Sequence, residues 1–321
     1  MPKKVLVCGA TGFIGKNVSK FLASKPEYNV TGTYLKSDPF ESPDIRFVRA
    51  DLTVRSEVQK VVQDAEIVIH AAAITSGFLK YKAESDVTDN IIMNSLIIQS
   101  CFDFNVEHFL YPSCTILYPS SSVPVGEDGY DPTQQIHPKY FLGARMKKMA
   151  EDMCYMFSQS DLCSTKFTAF RHSNVYGSYD KYDLDCAHVC AATITKVMNA
   201  TDGDAVHIFG TGEDERDLLH IDDLVGFVVK AIENQSSRFE LLNVGYGSCI
   251  SIKDLCQKII NISGKKGIQI ECELPSGAIE PTKVCLDCSK AKESVGWVCG
   301  LSLDEGLERA INWYSRHGDV A

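Results

Sequence analysis

A glycine-rich turn near the start of the chain most limits how this sequence can fold. An apolar strand at residues 5–7 leads into the turn, and a helix begins near Lys16. Glycines at such a turn let the backbone approach a pyrophosphate, whose charge is stabilised by the N-terminus of the following helix. The turn predicts a dinucleotide-binding site, the alternative being a glycine-rich turn of another α/β fold. The predicted cofactor contacts here are Gly9, Thr11, Gly12, Phe13, Ile14 and Gly15.

Short apolar runs alternate with helical segments through the first half of the chain. Strands are predicted at 4–8, 30–35, 45–50, 66–71, 108–111 and 166–171, and helices at 17–24, 56–62 and 87–104. This alternation predicts an α/β fold with a doubly wound parallel sheet of the Rossmann type. We expect residues 1–171 to form mainly this NAD(P)-binding domain. Residues 172–321 are expected to form mainly a smaller mixed α/β substrate-binding lobe, with 205–240 returning to the first domain.

Composition excludes several classes of partner. The net charge of -10 over 321 residues offers no basic stripe for phosphate backbones, so we expect no nucleic-acid partner. No apolar run approaches 18 residues, so we expect no membrane partner. The thirteen cysteines are scattered through apolar runs, which favours reduced thiols and a cytoplasmic location over a disulfide framework.

The ends of the next strands indicate the cofactor. NAD-preferring sites of this type place an acidic residue at the end of the second strand. Here that strand ends at Tyr34 and Lys36 without Asp or Glu, which favours NADP, with NAD possible. Asp51 is placed to meet the adenine or, alternatively, to cap the following helix. Further predicted cofactor contacts are Leu52, Ala71, Ala72 and Ala73.

Later motifs make the sequence more specific. The stretch at 112–119, a helix opened by Tyr140, the run at 174–177, His188 and the run at 210–223 follow the glycine turn in a fixed order. In this order the chain resembles the extended short-chain dehydrogenase/reductases that act on nucleotide sugars. Among their branches it is most similar to the GDP-L-fucose synthases, which epimerise and then reduce a GDP-4-keto-6-deoxymannose.

The resemblance implies that Tyr140 is the acid that protonates the C4 oxygen, or the base in the reverse direction. A lysine is expected four residues later, where this chain has Ala144. That lysine would lower the pKa of the tyrosine and hold the nicotinamide ribose. Lys147, one turn beyond Ala144, is the candidate replacement, with a stem long enough to bring its ammonium back toward Tyr140. The alternative is that Lys147 is an ordinary solvated charge.

The resemblance also implies a serine or threonine that polarises the carbonyl. Counting back from Tyr118 places Cys114 there, and because a thiol is a weak donor the role can pass to Ser113 or Thr115. In the fucose synthase pattern a cysteine and a histidine catalyse epimerisation. His188 matches that histidine, although it can also be a polar residue at a helix start. The cysteine is Cys114 in one register, whereas another register leaves no cysteine at its position.

Two residues match substrate-binding positions of the resembled family. Arg216 corresponds to an arginine that clamps the nucleotide phosphates or ribose, and Asn174 corresponds to a donor to the substrate phosphate. For both, a structural hydrogen-bond network is the alternative. The pair Cys285 and Cys288 has no second pair or histidine nearby, so no metal site is expected.

These residues predict an NAD(P)-dependent enzyme that modifies a nucleotide sugar, preferably a GDP-sugar, through a 4-keto species. The first hypothesis is a 4-ketoreductase or epimerase/reductase, and the second is a 4-epimerase, dehydrogenase or dehydratase with tightly bound NAD. A third, prompted by Ala144, is a cofactor-binding sensor or scaffold without catalysis. The resemblance implies a homodimer that pairs through the helices at 87–104 and after Tyr140. The apolar residues offered for that interface are Ile91, Ile92, Leu96 and Ile97.

Overall fold

The computed structural model describes residues 1–74, 84–133, 136, 140–274 and 281–318. The strands are β1 (Lys3–Cys8), β2 (Tyr28–Tyr34), β3 (Ile45–Arg49), β4 (Ile67–His70), β5 (His108–Cys114), β6 (Lys166–His172), β7 (Asn174–Tyr176), β8 (Ala205–Phe209), β9 (Glu215–His220), β10 (Phe239–Val244), β11 (Cys249–Ser251), β12 (Gln269–Glu273) and β13 (Lys283–Val284). The helices are α1 (Phe13–Ala23), α2 (Arg55–Val62), α3 (Glu84–Asp103), α4 (Phe141–Ser158), α5 (Val189–Asn199), α6 (Ile221–Asn234), α7 (Ile252–Ser263), α8 (Ser289–Val295) and α9 (Leu303–His317).

Seven strands form one parallel sheet in the order β10-β6-β5-β4-β1-β2-β3. The chain builds outward from β1 to β3, then crosses back to β4 and builds in the other direction. In an open sheet of this kind, the crevice outside the strand ends where the order reverses is the usual ligand site. The predicted Rossmann-type sheet is confirmed, and its strand order reverses between β1 and β4.

Helices cover both faces of the sheet, which explains why its central strands are continuous apolar runs. On one face α1 and α6 bury residues such as Leu22 and Phe227 against β1 and β4. On the other face α2, α3 and α4 contribute Val58, Ile97 and Cys154 to a second core. Because Ile97 is fully buried there, it is not part of an exposed interface.

The second half of the chain builds a lobe and also completes the sheet. Helices α5, α7 and α9 share a third core with β8. Strand β9 pairs with β7, β11 and β13 in a smaller sheet. Strand β10 pairs with β6, so this part of the chain returns to the large sheet. Residues 275–280 and 319–321 of the predicted lobe lie outside the described part. Within the described part, no helix has the length and apolarity needed to cross a membrane.

A buried ion pair fastens α4 to the sheet. Arg171 at the end of β6 donates from Nε to Oε1 of Glu151 at 3.0 Å and from Nη2 to Oε2 at 2.7 Å. The two side chains are only 1% and 2% exposed. Ser113 donates its hydroxyl to the same carboxylate at 2.5 Å, and Arg171 Nη1 donates to Tyr118 at 2.9 Å. Both charged groups therefore make several hydrogen bonds each, the condition under which a buried pair is tolerated.

We predict that Glu151→Gln lowers the free energy of unfolding by about 3–5 kcal/mol, because it leaves the Arg171 charge buried without its partner. Glu107→Gln is the matched control. It breaks the Lys3–Glu107 pair, whose side chains are 49% and 53% exposed, and should cost less than about 1 kcal/mol. Urea denaturation of both variants measures the difference. Equal losses in the two variants would contradict the anchoring role of Glu151.

Candidate active site

The glycine turn after β1 is packed too closely for side chains. Gly9 has φ +76°, and a Cβ there would lie 2.6 Å from the Cα of Ala72. A Cβ on Gly15 would lie 2.1 Å from the carbonyl oxygen of Gly9. These contacts bring the start of α1 against the ends of β1 and β4. Both positions therefore require glycine for the turn to form.

The N-terminus of α1 is suited to an anion. Its N-cap residue is Gly12, which is exposed and supplies no side-chain cap to the helix. The first N–H groups and the positive end of the helix dipole are thus left for a ligand. Thr11, Phe13 and Ile14 flank this point and are half-buried. The residues present fit the pyrophosphate of a dinucleotide.

The ends of β2 and β3 carry basic groups beside the turn. Tyr34 pairs in register with Arg49, and the charges of Arg49 and Lys36 both reach the carboxylate of Asp51. Hydrogen bonds from the hydroxyl and backbone N–H of Thr53, at 2.6 and 3.0 Å, lower the pKa of Asp51. Asp51 therefore holds the turn at Thr53, but it does not cap α2, whose N-cap residue is Val54 and which has no side-chain cap. Arg49 was missed because only the strand pairing brings it next to Tyr34.

The other predicted cofactor contacts lie at two places. Ala71, Ala72 and Ala73 follow β4 directly, and Ala72 is in near contact with Gly9. Leu52 is buried in the core on the α2 side of the sheet, with 6% of its surface exposed. The small side chains after β4 allow the glycine turn to pack closely against the end of this strand. Leu52, in contrast, offers a ligand little of its side chain.

Lys147 projects from α4 to the carboxyl edge of the sheet. Its ammonium donates to the carbonyl oxygen of Pro112 in β5 at 2.7 Å and lies 4.8 Å from the centre of the Tyr111 ring. Burial lowers the pKa of Lys147, while the neighbouring Cys114 and Glu151 act in the opposite direction. Lys147 is thus a half-buried cation at the strand end and not an ordinary solvated charge.

The spacing along α4 differs from the predicted one. Tyr140 is the N-cap residue and is 38% exposed. Lys147 lies seven positions after Tyr140, which places both on one face of the helix but about 10 Å apart along its axis. The residue one turn before Lys147 is Gly143, and Ala144 is fully buried. The ammonium of Lys147 is held at the carbonyl oxygen of Pro112 in β5, and its approach to Tyr140 stays a prediction.

Side-chain alternation separates the three candidates at the end of β5. Ser113 pairs in register with Arg171, and both side chains lie on the face where they bind Glu151. Ser113 is fully buried, so the structure does not make its hydroxyl available to a substrate. Cys114 belongs to the opposite face and is half-buried, as is Thr115. Burial raises the pKa of the Cys114 thiol, and the charge of Lys147 partly offsets this shift.

A histidine that the sequence prediction missed completes this edge. His172 is the last residue of β6 and pairs in register with Cys114. Burial lowers its pKa to about 4, and the charges of Lys147 and His188 act in the same direction. His172 therefore lies in electrostatic reach of both predicted site residues. The signal available in the sequence was its position at a strand end directly after Arg171.

The substrate-lobe candidates lie on β7, β9 and α5. His188 is the exposed N-cap residue of α5. Arg216 donates from Nη1 to Thr282 Oγ1 at 2.9 Å and from Nη2 to Asp214 at 3.3 Å. Asn174 donates to the backbone carbonyl of Asp217 at 3.2 Å. Arg216 and Asn174 therefore make contacts of the kind expected for a structural hydrogen-bond network. His188 lies close enough for its charge to act on His172.

One pair of cysteines departs from the prediction of reduced thiols. Cys249 and Cys285 form a disulfide that joins β11 to the segment after β13, although eleven other cysteines are free. Both strands pair with β9, so the chain approaches itself there from positions 36 residues apart. Cys288, the other cysteine of the CxxC pair, accepts a hydrogen bond at its sulfur from the backbone N–H of Gly245. Glu215 lies near the disulfide sulfurs, which are already committed to each other.

Comparison with known proteins agrees with this geometry. The family described as "NAD dependent epimerase/dehydratase family" matches residues 5–245. The chain is 28% identical to a GDP-L-fucose synthase of Sinorhizobium fredii over 96% of this chain and 94% of that protein. It is 26% identical to a putative UDP-glucose 4-epimerase of Methanocaldococcus jannaschii over 96% and 97%. A UDP-glucose 4-epimerase of Thermotoga maritima, solved with UDP-glucose, has a TM-score of 0.84 at 25% identity, covering 98% of this chain and 99% of that one.

We predict that Gly15→Ala weakens NADPH binding by about tenfold or more, because the new methyl group would force the turn away from the carbonyl oxygen of Gly9. Gly226→Ala in α6 is the control, since a Cβ there meets nothing within 4 Å. Titration calorimetry with NADPH, together with melting temperatures, compares the two variants. Wild-type affinity in Gly15→Ala would show that the turn does not hold the cofactor.

Proposed function

Because this chain belongs to the NAD dependent epimerase/dehydratase family, we propose that it modifies a nucleotide sugar through a 4-keto species. The observation that carries the proposal is the half-buried ammonium of Lys147 at the carboxyl edge, where the glycine turn and the ends of β4, β5 and β6 meet. When bound, a nicotinamide cofactor would exchange a hydride with C4 of the sugar. A charged lysine at that edge is suited to hold the nicotinamide ribose and to favour negative charge on the reacting oxygen.

Each candidate at the edge has a proposed part. Tyr140 is the proposed proton donor, on the same face of α4 as Lys147. Two helical turns separate Tyr140 from Lys147. The ammonium therefore stabilises a negative charge on the tyrosine oxygen less, because Coulomb energy falls with distance. We therefore expect activity to depend more steeply on Lys147 than on Tyr140. Thr115 and Cys114 are the proposed donors to the carbonyl, Thr115 being the stronger because a thiol donates weakly.

Residues of the lobe are proposed to bind the rest of the substrate. Arg216 would pair with the nucleotide phosphates, and its bonds to Thr282 and Asp214 already hold its guanidinium in one orientation. Asn174 would donate to a phosphate at the junction of lobe and sheet. His188 would act as the acid in epimerisation, with Cys114 as its partner.

Two reactions at C4 of the sugar are proposed, in order of preference. The first is a GDP-4-keto-6-deoxy-sugar reductase or epimerase/reductase, which the similarity to a GDP-L-fucose synthase supports. The second is a 4-epimerase that retains NAD, which the likeness to the UDP-glucose 4-epimerase structure supports. The basic pair Lys36 and Arg49 at the ends of neighbouring strands favours NADP, since both can approach a 2'-phosphate.

Two further properties belong to this proposal. A homodimer would pair through α3 and α4, which pack together and expose apolar side chains. The exposed apolar residues on these helices are Ile92, Phe141, Leu142, Met149, Tyr155 and Met156. A cytoplasmic location is supported by the free cysteines, since a reducing compartment keeps such thiols intact.

We expect the purified protein to oxidise NADPH in the presence of a 4-keto nucleotide sugar, recorded as loss of absorbance near 340 nm. GDP-4-keto-6-deoxymannose is the first substrate, and UDP-glucose with NAD tests the epimerase. Net consumption of NADPH identifies a reductase, whereas sugar interconversion without net consumption identifies an epimerase. Clean cofactor binding with no turnover of any sugar would favour the non-catalytic sensor or scaffold.

We predict that Lys147→Met lowers kcat/KM by about 100-fold or more, because it removes the charge beside the reacting oxygen. Lys148→Met is the matched control on the next position of α4. Lys148 pairs with Asp152 on the helix surface, so its loss should change kcat/KM by less than about twofold. Steady-state kinetics of both variants and of Tyr140→Phe rank the three side chains. Equal activity of Lys147→Met and wild type would remove Lys147 from the site.

A further inference from the structure

The imidazole of His172 has one nitrogen committed and one available. Nδ1 lies 2.9 Å from the carbonyl oxygen of Ser173. A carbonyl oxygen only accepts, so Nδ1 must carry the proton of the neutral ring. Nε2 then has an unshared electron pair, and the ring hydrogen bond found in the described part of the chain is the one at Nδ1. His172 therefore presents an acceptor with a fixed tautomer.

The position of this acceptor coincides with the proposed reacting end of the site. His172 pairs with Cys114 across the last step of the β5–β6 ladder, and side chains paired in register share a face. Lys147 is near enough for its charge to act on both residues. His172 is half-buried and is the last residue of β6, at the carboxyl edge of the sheet. An oxygen placed between these groups meets a donor in Lys147 and an acceptor in His172.

The charge state of the ring limits what it can do. Burial, with the charges of Lys147 and His188, lowers the pKa of His172 to about 4, so the imidazole is neutral at pH 7. Taking up a proton would create a second cation beside Lys147, which opposes a role in proton exchange. A neutral acceptor, in contrast, binds hydroxyl groups and disfavours a carbonyl or ether oxygen. The chemistry of His172 is therefore recognition of a hydroxyl.

We propose that His172 is a specificity-determining residue whose Nε2 accepts a hydrogen bond from a hydroxyl of the sugar ring. This inference rests on the proposed function, because it places the sugar at the edge formed by Cys114, Lys147 and His172. It adds that the enzyme selects a sugar with a hydroxyl at this point and rejects the deoxy or fluoro analogue. A ligand that lacks this hydroxyl leaves the acceptor without a hydrogen bond and therefore binds more weakly.

The first test observes the ring directly. Protein with ¹⁵N-labelled histidine is examined by NMR at pH 7, and the His172 signals are assigned by their loss in His172→Gln. We expect an unprotonated Nε2 and a protonated Nδ1 in the free protein. Addition of UDP-glucose or GDP-mannose should shift the Nε2 resonance toward that of a hydrogen-bonded acceptor, whereas UDP or GDP alone should not. An Nε2 that carries the proton, or that does not respond to a bound sugar, overturns the inference.

The second test measures selectivity by calorimetry. Wild-type protein should bind one of the 3-fluoro or 4-fluoro analogues of these nucleotide sugars about tenfold or more weakly than the hydroxylated parent, since fluorine cannot donate a hydrogen bond. His172→Phe should bind parent and analogue equally. His172→Gln, whose amide oxygen can accept, should restore part of the difference. Selectivity that is the same in all three proteins overturns the inference.

The two proposals can fail separately. If no nucleotide sugar turns over and UDP-glucose and GDP-mannose bind no better than UDP and GDP, both proposals fail. If the sugars bind or turn over while His172 neither responds nor changes selectivity, only the assignment of His172 fails. Melting temperatures of the His172 variants show whether a loss of binding comes from a loss of folding.

Discussion

The arrangement of the site depends on the buried pair between Arg171 and Glu151. The pair connects α4 to the end of β6, and Ser113 ties the same carboxylate to β5. Lys147 lies one turn before Glu151 on α4, so anchoring the carboxylate also sets the height of the ammonium above the strand ends. Replacing either partner would leave a charge uncompensated in the core. The position of Lys147 therefore depends on a charge pair that is buried beneath the edge of the sheet.

Strand alternation then divides the residues at the strand ends into two groups. Ser113 and Arg171 lie on the face that meets α4, where they serve the ion pair. Cys114 and His172 pair in register and lie on the other face, near the edge. One step along a strand thus separates a structural role from a ligand-facing one. This separation explains how two adjacent polar residues, Ser113 and Cys114, have different functions in the proposal.

The sequence was sufficient for features that depend on local order. The glycine turn requires close backbone approach within a single strand–turn–helix unit, so Gly9 and Gly15 were predictable from spacing alone. The alternation of strands and helices likewise predicted the doubly wound sheet. Lys147 was named as a candidate, but its contact with Pro112 is made across 35 residues of chain. Its direction could not be read from helical spacing without knowing where α4 packs.

Other features depended on contacts that no local pattern encodes. The commitment of Ser113 to Glu151 became visible only with strand and helix packed together. His172 acquires its significance from its partner in the neighbouring strand, and Arg49 from its register with Tyr34. The disulfide between Cys249 and Cys285 arises because two short strands flank β9. In each case the missing information was which distant segments are neighbours.

We infer that this edge of the sheet carries out redox chemistry at C4 of a nucleotide sugar. The most direct measurement is transfer of deuterium from NADPH labelled at the nicotinamide C4 to GDP-4-keto-6-deoxymannose, with the product analysed by mass spectrometry and NMR. We predict that wild-type protein places one deuterium at C4 of the sugar. A product labelled at another carbon would contradict chemistry at C4, and recovery of unlabelled substrate together with bound cofactor would contradict the reductase.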